Sequence, residues 1–161
     1  MIERYELNRS ILPTIPVPHD CIITDIAEND EYLFFTFEED ISYHDSIKAI
    51  HPSAKGLIIR FHKLFDDVIE CAQMYQYKAS KHGTGYMHKK FRKIFKIAKR
   101  KNRRLEYLNH YLSYNTIVIE LFSKSSIMLF LYADYVEFEW IERHEVSDDE
   151  SCEGMLPLGP I

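Results

Sequence analysis

The chain lacks most of the marks by which a protein class is read from sequence. It has three cysteines, Cys21, Cys71 and Cys152, with no close pair and no Cys-x-x-Cys. So scattered and odd a set excludes a disulfide framework or a structural zinc site, and predicts reduced thiols in a cytosol. The longest wholly apolar run is Ile127–Leu131, extending through Tyr132 to Ala133, far short of the ~20 residues of a membrane helix. The N-terminus, "MIERYELNRSILPTIP", is charged where a signal peptide needs an apolar stretch. A soluble, cytoplasmic protein with no membrane partner is expected. There is no GxSxG, no HExxH and no internal repeat.

What is present describes a globular chain. It has 161 residues, 46% hydrophobic and 28% charged, enough for one domain that buries roughly 70% of its unfolded surface. Eleven Tyr and ten Phe favour pleated, half-buried surfaces and hence strands. Residues 1–18, with Pro13, Pro16 and Pro18, read as an extended N-terminal segment. In "CIITDIAENDEYLFFTFEED" the alternation of Ile22, Thr24 and Ile26, then of Leu33, Phe35 and Phe37, around the turn pair Asn29-Asp30 predicts a β-hairpin. A polar connection with a short helical turn precedes Pro52. Leu57, Ile59 and Phe61 mark another strand, with "DDVIECAQMYQYK" expected to pair with it across Asp66-Asp67. "SKHGTG" reads as a loop. Strands follow at "RLEYLNHYLSYN", "TIVIELFS" and "IMLFLYA", and Val136, Phe138 and Trp140 alternate with Glu137 and Glu139.

Charge is segregated along the chain. Residues 71–105 hold twelve Lys/Arg and no Asp or Glu, a charge of +12. The remainder holds eight basic and twenty-five acidic residues, or −17, which together give the net −5. The centre of the basic segment is "MHKKFRKIFKIAKRKNRR". Its Met87, Phe91, Ile94, Phe95 and Ala98 follow a helical period, so an amphipathic helix is predicted at about 87–101. Its polar face would carry Lys89, Lys90, Arg92, Lys93, Lys96, Lys99 and Arg100, the candidate interaction residues. Acid runs at Asp20–Asp45 and Glu137–Glu153 offer that face partners within the chain. Phosphate-backbone binding is the alternative. It is disfavoured because Phe91 and Phe95 are committed to the core face and −17 lies elsewhere. "HGTGYMHKK" matches neither phosphate-loop spacing.

Two His-Asp dipeptides, His19-Asp20 and His44-Asp45, bracket the first hairpin. They are the metal candidates that a metal-dependent hydrolase would use, but their spacing defines no closed ligand set. The plainer reading has Asp20 and Asp45 capping turns, with no metal and no cofactor. Cys71 with His62 would need a lowered thiol pKa, whereas an alternating strand would bury the thiol inert. Tyr107, Tyr111 and Tyr114, with Tyr75 and Tyr77, are candidates to line one sheet face, as core or as a partner surface.

"PHDCIITDIAENDEYLFFTFEED" resembles the opening hairpin of small bacterial β-rich proteins that begin with a His-Asp-Cys/Ser element. "RLEYLNHYLSYNTIVIEL" resembles a late strand pair in some of them. Proteins of this kind include immunity proteins, which bind and neutralise a toxin. The resemblance covers about a third of the chain, implies the hairpin and a binding role, and carries over no catalytic residue. The expectation is an α+β fold at 19–146, mainly antiparallel sheet open to barrel-like closure, with one basic helix. An acidic tail, 147–161, is expected to be mobile. The expected function is a binding protein with a protein partner, leaning away from an enzyme, the alternatives being nucleic-acid binding through the basic helix or a metal-dependent hydrolase using the His-Asp pairs.

Overall fold

The computed structural model describes residues 1–143. Along the chain lie β1 (Ile2–Glu6), β2 (Ile22–Glu28), β3 (Tyr32–Phe37), α1 (Asp45–Ile50), β4 (Ala54–Lys63), α2 (Val68–Cys71), β5 (Ala72–Ser80), β6 (Gly83–Lys89), α3 (Lys93–Ala98), β7 (Leu105–Ser113), β8 (Thr116–Ser123) and β9 (Ser125–Glu142). All pairings are antiparallel, in the order β4-β3-β2-β7-β8-β9, and a further β4–β9 pairing closes these six strands into a ring. It is not a regular barrel. The β2–β7 seam holds only Ile22↔Glu106 and Ile23↔Leu105, and α3 packs against β2 beside it.

β9 makes the closure possible by having neighbours on both edges. Its first half pairs with β8 and β5, its second half with β4 and β1. Ile127, Leu129, Leu131 and Ala133 point inward, then the phase shifts so that Val136, Phe138 and Trp140 do. The shift is a bulge opposite β4, where Phe61 pairs with Val136 but Lys63 with Ala133. A bulge bends a strand and strengthens its twist, as a strand shared by two halves of a ring requires. The enclosed core includes Phe35, Leu57, Ile59, Phe61, Tyr107 and Ile119, each at 2% exposure or less. The expected hairpin and the inward sets Leu33-Phe35-Phe37, Leu57-Ile59-Phe61 and Val136-Phe138-Trp140 are all present.

Several local expectations are corrected. The basic helix is shorter than 87–101: Met87–Lys89 belongs to β6, where hairpin pairing with β5 satisfies its backbone, and α3 begins at Lys93. The "SKHGTG" loop is the tip of that hairpin, with Gly83 at φ +141°, open to glycine. β5 pairs with β6 and β9 rather than with β4, whose edges are taken by β3 and β9. Cys71 ends α2 instead of lying in a strand. In β2 a bulge at Thr24 breaks the Ile22-Thr24-Ile26 alternation, so Ile23 and Ile26 are buried. Within the extended first segment, Ile2–Glu6 is a strand on β9. The acidic 147–161 segment lies outside the described residues.

Candidate interaction surface

The basic segment forms two structures, an arm and a helix. The arm is the β5–β6 hairpin, whose strand pairing with β9 covers Ala72–Gln76 and whose Tyr86 hydroxyl also lies 2.8 Å from Ser126 Oγ of β9. Beyond Gln76 both strands run past the ring, and the outer edge of β6 has no strand partner among the described residues. Helix α3 follows. Ile94, Ile97 and Ala98 are buried by the core, with Phe91 just before them, and Phe95 is half-buried. The buried stripe matches the expected face except at Met87, which is exposed on the arm.

The charged side chains divide. Arg92 lies 3.2 Å from Glu28 and 4.0 Å from Asp67, and Lys99 lies 3.7 Å from Asp25. The Glu28 and Asp25 contacts tie the ends of α3 to acids of β2, one of the two kinds of partner that the charge layout offered. They are exposed pairs and contribute about 0–1 kcal/mol each. Lys89, Lys90, Lys93, Lys96 and Arg100 have no carboxylate within 4 Å among the described residues. The Glu137–Glu142 acids lie elsewhere, where Glu139 pairs with Arg60 and Glu142 sits 3.8 Å from His51.

The other face of the arm is aromatic. Cross-strand register places Tyr75 beside His88 and Tyr77 beside Tyr86, with ring centroids 5.4 and 5.6 Å apart. Tyr75 also meets Phe130 of β9 edge-on at 5.5 Å. The same outward face continues over Met128, Val118 and Phe122 to Tyr111 of β7. Five strands thus share an aromatic surface, interrupted by Glu106 and Glu120 on its β7–β8 side. Tyr86, Tyr111 and Phe122 are 50%, 52% and 42% exposed. Of the tyrosines singled out from sequence, Tyr75, Tyr77 and Tyr111 lie here, Tyr107 is in the core and Tyr114 is exposed at the β7–β8 turn. Tyr86, Phe122 and Phe130 were not anticipated. Their signal was aromatic residues at outward positions, which becomes visible only once the register is known.

The His-Asp candidates take separate partners. Ser46 Oγ donates to the His19 carbonyl at 2.8 Å, so the two dipeptides are near along the backbone. His19 Nδ1 nevertheless meets the Leu108 carbonyl at 2.6 Å and its Nε2 lies 3.3 Å from Asp20, while His44 Nε2 meets Glu38 at 2.6 Å. Asp20 takes a left-handed φ of 65° instead of capping by its side chain, and Asp45 pairs with Lys48 at 3.7 Å. Among the described residues no three His, Cys, Asp or Glu side chains converge on a metal position. Cys71 and His62 do not pair with each other: Cys71 bonds with the Phe65 backbone, His62 with Asp134 at 2.6 Å. Burial first, then the charges of Glu38 and Asp20, pushes the Cys21 thiol up to about 12. Burial also raises Cys71, so neither thiol is activated. Among the described residues no helix is long and apolar enough to cross a membrane.

In comparisons with known proteins, no family model, no curated protein and no solved structure matches this chain. The functional reading therefore rests on the geometry.

Proposed function

We propose that this is a binding protein that docks on a protein partner through the outward face of β7-β8-β9-β5-β6 and its basic flank. The observation that carries the reading is the aromatic face itself. Exposed aromatic surface on this scale favours partner contact, since Tyr and Phe are enriched in interface cores. The open edge of β6 adds a row of main-chain donors and acceptors that an extended segment of a partner can pair with. Lys89, Lys90 and the free cations of α3 steer an acidic partner towards the face, an effect that acts mainly on association rate and falls with salt. Neutralisation of a toxin, as the N-terminal resemblance implies, is one biological form of this activity. The buried, unpaired thiols of Cys21 and Cys71 suit a reducing cytoplasm.

Nucleic acid is the second reading, and one observation favours it. Tyr77 and Tyr86 are exposed on an arm that also carries Lys78, Lys81 and Lys89, and exposed rings among cations can stack on bases. A photo-reactive residue in place of Tyr86 or Tyr111 separates the two. Cross-linking in cells to a single protein, absent when the probe replaces Ile50 on α1, is the expected result. Cross-links to nucleic acid, or none from either position, would refute the protein-partner reading.

A further inference from the structure

A cavity of about 370 Å³ lies where α3 meets the β5 and β8 strands. Lys93, Lys96 and Arg100 of the α3 region and Arg103 of the following loop line it, with Gln76 and the buried Ser123 opposite. No carboxylate lines it, and none of the four cations has an acidic partner among the described residues. This distinguishes it from the neighbouring cleft under Arg92, where Glu28, Asp30, Asp66 and Asp67 more than offset Lys63 and Arg92. Four like charges converging on one concavity repel one another, so a counter-charge placed there is stabilised by all four.

We propose that this cavity binds a compact ligand bearing two or more linked phosphates, a site separate from the aromatic face that shares Lys93, Lys96 and Arg100 with the basic flank of the protein-partner reading. Its volume sits at the low end of the ~300–1,000 Å³ typical of small-ligand pockets. A phosphate group carries about −1.5 to −2 near neutral pH, so two of them balance four cations. Arg100 and Arg103 offer planar donor forks suited to phosphate oxygens, and Lys93 and Lys96 act as point charges. Gln76 and Ser123 add neutral hydrogen-bonding groups. The lining contains no aromatic ring, so nothing is present to stack on a nucleobase, and the phosphate chain is the part recognised.

Isothermal titration of the full chain with tripolyphosphate tests this, with ATP, orthophosphate and sulfate as comparisons. Tripolyphosphate should bind with a micromolar Kd at physiological salt, ATP within about threefold of it, and orthophosphate and sulfate at least tenfold more weakly. Arg100→Gln and, separately, the loop variant Arg103→Gln should each weaken binding about tenfold or more, worth about 1.4 kcal/mol or more. The charge-matched Lys55→Gln variant should bind as the parent does. Circular dichroism verifies that each variant is folded, and Arg103→Gln, farther from the end of α3, keeps the test decisive if Arg100→Gln is not. Equal binding of sulfate would mean an adventitious ion only. Unchanged affinity in both arginine variants, ATP binding far above tripolyphosphate, or single-stranded RNA binding lost in those variants while tripolyphosphate does not bind would each overturn the proposal.

Discussion

Ile94 and Phe95 are neighbours in α3, yet truncation should separate them sharply. Ile94 is 0% exposed, whereas Phe95 is half-buried against the core's edge. Ile94→Ala should cost about 2–5 kcal/mol, and Phe95→Ala less than half of the ~3–5 kcal/mol lost by a fully buried ring. Urea unfolding measures both, and equal losses would contradict this orientation of α3. Cys21 gives a chemical counterpart. With its pKa raised from the ordinary 9.0 to about 12, roughly one thiol in ten thousand is ionised at pH 8. Iodoacetamide at that pH should therefore leave Cys21 unmodified in the folded protein and label it in urea, as read by mass spectrometry. The linkage sign follows from the same shift. A raised folded pKa gives stability that is intact below pH 9 and is lost as pH rises from about 9 to about 12, because the unfolded chain releases the proton first.

At the scale of elements, the arm should be dispensable for folding. Residues 78–84 are exposed, and the pairing of β5 with β9 ends at Gln76. Replacing 78–85 by a two-residue Asn-Gly turn, which keeps the Tyr77↔Tyr86 pair, should change the unfolding free energy by less than about 1 kcal/mol, measured by urea titration. Exposure on both faces also explains why this element was not legible in the sequence. A strand announces itself by alternating buried and exposed residues, and Tyr86-Met87-His88 has no buried face to alternate with. The helical period of Phe91, Ile94 and Ala98 was legible because the core does cover that side. Extending it back to Met87 borrowed an apolar residue that has no core to reach. The hairpin of β2 and β3 was the easiest element to read, since both its strands are local and one face is fully covered.

For the whole molecule, what the sequence left unread is non-local. Nothing in "IMLFLYADYVEFEWI" distinguishes two strands from one, and β9 is continuous because the bulge after Ala133 lets the chain turn its inward face without breaking the ladder. The candidate surface depends on the same unread pairing. Tyr75 and Tyr111 are 36 positions apart in the chain and come to share a face only through β8 and β9. The charge layout, in contrast, was legible in outline. Arg92 and Lys99 meet Glu28 and Asp25, both from the Asp20–Asp45 run.

The position of β9 in the chain also sets the order in which the protein can assemble during synthesis. β1, β4, β5 and β8 all depend on β9 for a neighbour, and β9 is the last of the described strands to be translated. At ~5–20 residues per second, several seconds pass during which apolar strands such as β4 and β8 exist without the partner that covers their edge. Closure then pairs Ile2 with Glu139 and Ala54 with Glu142, contacts of high sequence separation that place folding on the slow, millisecond-to-second side of small domains. The nascent chain should therefore be a ready client of holding chaperones until Glu142 has left the ribosome.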